Sequence, residues 1–187
     1  MRTVYAFVFV SLDGYVATPD GGTDWFVTDD ELERYSAGQG EHIDTIVMGR
    51  RTFELMASYW PTPEAHAADP VVAAFMCDLP KVVASRTLTS HPWGPTTFVA
   101  DDVAGRLRDL KDRPGKQIAV FGSSALVASL LPTGVVDEVR VLLQPVVLGA
   151  GVRFLDGAPH GTTLERLDVR TFGNGSTLLT YRPVPTT

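Results

Sequence analysis

The sequence is almost without cysteine: Cys77 is the one thiol in 187 residues. A lone thiol closes no internal disulfide and builds no cysteine-rich zinc site, which fits a reducing compartment. Also missing is any block of Lys and Arg. With 16 basic against 22 acidic residues and a net charge of -6, a phosphate-backbone partner such as nucleic acid is not expected. A local basic site can still hold a small anion. No apolar run is long enough for a bilayer. The segment from Met1 to Val10 has one charge and a short strand-like run, with no small-residue cleavage site, so a soluble cytoplasmic protein is expected. Neither the dinucleotide fingerprint G-x-G-x-x-G, nor a Gly-Lys-Ser/Thr phosphate loop, nor Gly-x-Ser-x-Gly occurs. His42, His66, His91 and His160 are scattered without ligand spacing, so no metal is expected.

What is present suits one domain over residues 1–187. Hydrophobic residues at 44% and charged residues at 20% leave enough apolar surface for a full core. Val4 to Val10 is β-branched and aromatic, hence a buried strand. Ser11 to Asp24, with Asp-Gly, Pro-Asp and Gly-Gly, reads as a long loop. Thr28 with Glu31 forms a capping box that predicts a helix over 29–38. Further strands are expected at 45–48, 81–84, 97–99 and 117–121. Helices are expected at 51–58, 70–77, 101–110 and 124–131, with Pro61 and Pro63 ending the first of them. From residue 138 the chain reads as strands only, at 138–143, 152–155, 164–172 and 177–181. The last two flank the hairpin turn Gly173-Asn174-Gly175. The fold class expected is α/β: a mixed, mostly parallel central sheet, helices on both faces and a C-terminal antiparallel hairpin. The apolar stretch Val139 to Leu143, followed by Pro145 to Leu148, offers a sheet edge or two-fold surface for a homodimer.

Three strand ends carry residues suited to phosphate. Gly49-Arg50-Arg51-Thr52 joins a strand to a helix N-terminus, where open amides and the helix dipole favour an anion. Gly122-Ser123-Ser124 repeats the arrangement with two hydroxyls. Ser85 and Arg86 follow another strand and suit a further phosphate, such as that on the ribose of NADPH. Each has a plainer reading: a solvated strand-to-helix turn, a Ser124 helix cap, an exposed arginine. Together they suggest an extended dinucleotide, since ligands of open α/β sheets sit beyond the carboxyl ends of strands.

The ordered set of motifs resembles the dihydrofolate reductase superfamily. It comprises Ser11-Leu12-Asp13-Gly14-Tyr15-Val16-Ala17, Asp24-Trp25, Met48 to Glu54, Phe121 to Ser124, Val136 to Arg140 and Pro145 to Gly151. The branch it looks most like is the bacterial proteins similar to the reductase domain of bifunctional riboflavin-biosynthesis enzymes. The resemblance covers nearly the whole chain. It implies about eight strands, the last antiparallel, and NADPH as hydride donor. Val16 and Ala17 would meet the nicotinamide. Gly49, Arg50, Arg51 and Thr52 would hold phosphates, Ser85 and Arg86 the 2′-phosphate, and Gly122, Ser123 and Ser124 the pyrophosphate. This chain has two serines where dihydrofolate reductases continue with glycine, so a closer backbone approach is hindered there. The zinc deaminase signature of the bifunctional enzymes, His-x-Glu with Pro-Cys-x-x-Cys, is missing.

Reduction of a C=N or C=O group also needs a proton, and a placed carboxyl group is the usual donor. By resemblance the candidate lies five residues past Trp25, at Asp30; the other reading of Asp30 is an acid complementing the dipole of its own helix. Asp13 is a second candidate, or else a turn aspartate. Trp25, Phe53, Met56, Tyr59 and Trp60 are candidate walls for a flat substrate, with Phe53 and Met56 equally suited to core packing. The expected function is an NADPH-dependent reductase of a small, flat nitrogen heterocycle such as a pterin or pyrimidine. The alternative is a nucleotide-binding module without turnover.

Overall fold

A computed structural model describes residues 1–184. Its strands are β1 Val4–Ser11, β2 Tyr15–Ala17, β3 Ile43–Gly49, β4 Lys81–Ala84, β5 Thr96–Val99, β6 Gln117–Phe121, β7 Glu138–Gln144, β8 Val152–Arg153, β9 Leu164–Thr171 and β10 Thr177–Pro183. Its α-helices are α1 Asp30–His42, α2 Arg50–Tyr59, α3 Pro63–Ala68, α4 Pro70–Asp78, α5 Val103–Lys111 and α6 Ser124–Leu130. Eight strands form one sheet in the order β5-β4-β3-β6-β1-β7-β10-β9. The pairs from β5 through to β7 are parallel, while β10 runs antiparallel to both β7 and β9. This is the mixed α/β architecture expected from the alternation of strands and helices. Among the described residues, no helix is long and apolar enough to cross a membrane.

Alternation along the central strands divides the core into two layers, as successive side chains leave opposite faces. Tyr5, Phe7, Ile46, Met48 and Phe121 face one way and meet Leu32 of α1, Phe53 of α2 and Met76 of α4. Val4, Ala6, Val47 and Val120 face the other way and meet Leu107 of α5 and Val127 of α6. Both faces of the parallel region are therefore covered, which explains why its strands read as continuous apolar runs.

The structure departs from the sequence-based expectations in five respects. The stretch 11–24 contains the short strand β2, which pairs with β8. The N-cap of α1 is Asp29, whose carboxylate accepts from Leu32 N at 2.9 Å, rather than Thr28. That helix continues past Gly38 to His42; Gly40 admits the ring of Phe75, since a Cβ there would lie 2.6 Å from it. The proline-rich stretch after α2 holds its own short helix, α3, with Pro63 in its first turn and Thr62 as cap. Finally, Val139 to Leu143 is no sheet edge: it lies in β7, between β1 and β10, and Val139 and Leu142 are fully buried. The edges are β5 and β9.

Candidate functional site

Strands β3 and β6 are neighbours in parallel register, so their carboxyl ends open side by side. Each passes at once into a helix, β3 through Gly49 into α2 and β6 through Gly122 and Ser123 into α6. The two turns touch. Gly49 N donates to Ser123 Oγ at 2.9 Å, and Ser123 Oγ donates to Phe121 O at 3.0 Å. Gly122 and Ser123 are both left-handed, with φ of 56° each. A Cβ at Gly122 would stand 3.2 Å from Thr52 Cγ2, so glycine is needed there for conformation and space alike.

The helix starts here differ from those elsewhere. In α1, α3, α4 and α5, Asp29, Thr62, Asp69 and Asp102 each accept an N-terminal amide with the side chain. Neither α2 nor α6 has such a cap. Furthermore, α2 carries Arg50 and Arg51 and no acid in its first turn, opposing its dipole, whereas α1 carries Asp30, Glu31 and Glu33 there. Open amides with two arginines at a positive helix end form a local conflict that an anion relieves. Both arginines are exposed, and Arg50 is engaged only by Glu54 on the same helix, at 3.4 Å.

The serine hydroxyls take other roles. Ser123 Oγ joins the two turns, and Ser124 Oγ accepts from Leu155 N at 2.7 Å, fixing the segment after β8. At this corner backbone amides, rather than hydroxyls, are free for a phosphate. Ser85 is likewise turned inward: its Oγ accepts from Leu88 N at 2.8 Å and Thr87 N at 3.3 Å. Arg86 is exposed and lies 3.4 Å from Asp101. A cleft of about 330 Å³ is lined by Arg86, Asp101, Asp102 and Val103 on one side and by Leu126 and Ser129 of α6 on the other. It joins the corner after β4, with one arginine and two aspartates, to the helix that starts at Ser124.

Val16 and Ala17 lie in β2, braced by β8. Gly151 makes this possible, since a Cβ there would collide with Ala17 O. Asp13 anchors the same region. It accepts from Ser11 Oγ at 2.7 Å, Leu148 N at 3.0 Å and Gly149 N at 2.7 Å. These bonds, the Ser11 hydroxyl foremost, hold its pKa down at about 2. Asp13 is thus a carboxylate that fastens one loop to another.

The proposed substrate walls divide. Trp25 packs edge-on against Phe26, whose ring stacks on Phe9 at 4.3 Å between centroids. Tyr59 is 40% exposed at the end of α2. Trp60 is half-buried, with Nε1 on Met56 Sδ at 3.0 Å. Phe53 is excluded as a wall: it is fully buried against Trp93, Phe98 and His91. Asp30 is exposed in the first turn of α1 and opposite in burial to Leu32.

Residues that sequence reasoning missed hold this loop in place. Gln144, fully buried at the end of β7, accepts from Val27 N at 2.8 Å and donates to Ser176 Oγ at 3.0 Å. Asn174 Nδ2 donates to Val27 O at 3.0 Å. Both backbone groups of Val27 are therefore clamped between Trp25 and Asp30. The signal was a glutamine closing the strand-like run Val139 to Leu143, of which Val139 and Leu142 are buried. Among the described residues, no group of three or more His, Cys, Asp or Glu is placed to hold a metal ion.

With the geometry in place, kinship can be stated. The RibD C-terminal domain family matches residues 2–178. The chain belongs to that family. A Bacillus subtilis relative, the uncharacterized protein YyaP, is 29% identical over 180 residues, covering 96% of this chain and 94% of YyaP. Among solved structures, the fold is shared with the diaminohydroxyphosphoribosylaminopyrimidine deaminase/5-amino-6-(5-phosphoribosylamino)uracil reductase of Thermotoga maritima. The TM-score is 0.70 at 17% identity, over 98% of this chain and 57% of that one. It is shared too with dihydrofolate reductase from Enterococcus faecalis in complex with NADP(H), with a TM-score of 0.65 at 15% identity, over 97% and 96% of the two chains. This RibD-domain chain therefore has a dihydrofolate reductase-like fold.

Proposed function

We propose that this protein is an NADPH-dependent reductase of a small, flat nitrogen heterocycle of pterin or pyrimidine type. One observation carries the reading: the two α-helices without side-chain caps are those whose starts are joined, Gly49 N to Ser123 Oγ, at the carboxyl ends of adjacent strands. The residues present fit a dinucleotide. Gly122 lets its turn approach Thr52 at the start of α2, and both helix starts lack a side-chain cap, with Arg50 and Arg51 in the first turn of α2. In this reading Arg50, Arg51 and Thr52 hold one phosphate and the amides of Ser123 and Ser124 hold its neighbour, while Gly49 N and Gly122 N, already donating to Ser123 Oγ and Phe7 O, shape the two turns. The cleft along α6 takes the adenosine end, with Arg86 at its rim. Membership in a reductase-domain family and the NADP(H) complex of a structural neighbour support the assignment.

When bound, NADPH supplies a hydride. The chain's own residues do the rest. Strand β2, fixed by β8 and by the Asp13 bonds, presents Val16 and Ala17 as a rigid edge for the nicotinamide ring. Trp25, Met56, Tyr59 and Trp60 flank a flat substrate, and the Val27 clamp keeps Phe26 against Phe9 and Trp25 against Phe26. Asp30, or water held by it, delivers the proton.

The test is a titration of the protein with NADPH, followed by turnover with a panel of oxidised pterins and pyrimidines, read by nicotinamide absorbance. Failure of NADPH to bind or to raise the melting temperature rejects the proposal. A second reading, a binding module without turnover, draws on Asp13 being locked as a carboxylate and Asp30 standing exposed. It expects NADPH binding with no consumption across the panel, and no change in Asp30→Asn. The reductase reading expects Asp30→Asn to lower kcat by about 100-fold or more, with NADPH affinity kept.

A further inference from the structure

We propose that Asp101 sets the choice between cofactors with and without a 2′-phosphate, by competing with that phosphate for Arg86, so that the chain discriminates weakly between NADPH and NADH. The inference rests on the reading above that a nicotinamide dinucleotide occupies the corner between α2 and α6.

Register places the groups together. Ala84 pairs with Val99 at the ends of the parallel strands β4 and β5, and Ser85 N donates to Val99 O at 2.9 Å. The residues that follow, Arg86 after β4 and Asp101 after β5, therefore meet, with Arg86 Nε 3.4 Å from Asp101 Oδ1. Both line the cleft beside α6. Asp102 adds a second carboxylate next in sequence, though one of its oxygens caps α5 by accepting from Gly105 N at 2.8 Å. Ser85 is folded beneath its own turn, 9% exposed, with Oγ taken by Thr87 and Leu88 amides.

The corner thus offers one guanidinium and two carboxylates. A 2′-phosphate, a monoester with close to two negative charges, needs Arg86 but must sit beside Asp101. A plain ribose 2′-hydroxyl meets no such repulsion and can donate to the Asp101 carboxylate. In Rossmann folds, of which this chain is not one, an acid serves the ribose 2′-hydroxyl and an arginine the 2′-phosphate, and the same chemistry applies to any such pair. This chain has both in contact. The Arg86 and Asp101 side chains are about four-fifths exposed, at 82% and 80%, so solvent screens the competition and the effect is modest.

Dissociation constants for NADPH and for NADH, measured by calorimetry on the intact protein, on Asp101→Asn and on Arg86→Ala, test the inference. Melting curves without ligand check that each variant folds. Wild type is expected to prefer NADPH over NADH by less than about tenfold. Asp101→Asn is expected to tighten NADPH by about three- to tenfold and to leave NADH unchanged or slightly weaker. Added salt should shrink that gain, and Arg86→Ala should weaken NADPH alone. A wild-type preference above about 100-fold, or an unchanged NADPH-to-NADH ratio in Asp101→Asn, overturns the inference while leaving the reductase reading intact. If neither cofactor binds, the reductase reading falls, and this inference with it.

Discussion

Ser123 is where the account is most exposed to test. Its hydroxyl links the two turns, and its backbone is left-handed at φ 56°. Ser123→Ala removes the acceptor for Gly49 N and keeps a Cβ in the unfavourable conformation. A part-buried amide left without a partner costs about 1–3 kcal/mol. Ser123→Gly loses the same bonds but escapes the left-handed penalty of about 1–2 kcal/mol, less the roughly 0.5–1 kcal/mol that glycine adds in chain entropy. The lost bond outweighs the relief, so the order of stability should be wild type, then Ser123→Gly, then Ser123→Ala, the two variants about 0.5–1 kcal/mol apart. Urea unfolding with a common slope reads these values. Since the bond also sets the spacing of the two phosphate seats, both variants should weaken NADPH by on the order of tenfold, or about 1.4 kcal/mol. Wild-type stability and affinity in Ser123→Ala would refute the reasoning.

Other outcomes follow from the same geometry. Phe53→Ala empties a fully buried site and should cost about 3–5 kcal/mol in urea unfolding; a loss of substrate affinity at wild-type stability would restore it as a pocket wall. Asp13 has a folded-state pKa of about 2, below its ordinary 3.8, so its contribution to stability is present above that ordinary value and is lost as pH falls towards 2. Acid unfolding of Asp13→Asn should therefore be less steep across that window, and an unchanged profile contradicts the bonds to Leu148 and Gly149. Leu167 and Val169 stand 43% and 44% exposed on the edge strand β9, so edge pairing with a second copy is a testable route to the expected homodimer. Lysine at both positions should convert a homodimer to a monomer in light scattering without lowering the melting temperature; a wild-type protein already monomeric rejects the dimer.

Much of the fold was legible because the parallel strands are buried on both faces and so read as apolar runs, as at Val82, Val83 and Ala84 in β4 and from Ile118 to Phe121 in β6. What could not be read depended on partners distant in sequence. Tyr15–Ala17 is a strand because Val152 and Arg153 lie beside it, and nothing local announces that pairing. Gly38 looked like the end of a helix, yet α1 runs on to His42, and Gly40 within it makes room for Phe75. At the site, glycines and arginines next to strand ends pointed to the right corner. The use of each hydroxyl was hidden, because Ser85, Ser123 and Ser124 bond to backbone brought in by folding. Phe53 and Met56 share helical spacing, and only packing separates the fully buried Phe53 from the half-buried Met56.

The central claim is that the starts of α2 and α6 together bind the phosphates of a dinucleotide. Backbone amide resonances recorded while NADPH is added address it residue by residue. The account predicts that the largest shifts fall on Arg50, Arg51, Thr52, Ser123 and Ser124, saturating with one affinity. Shifts concentrated at the capped starts of α1, α4 or α5, or none at all, would contradict it.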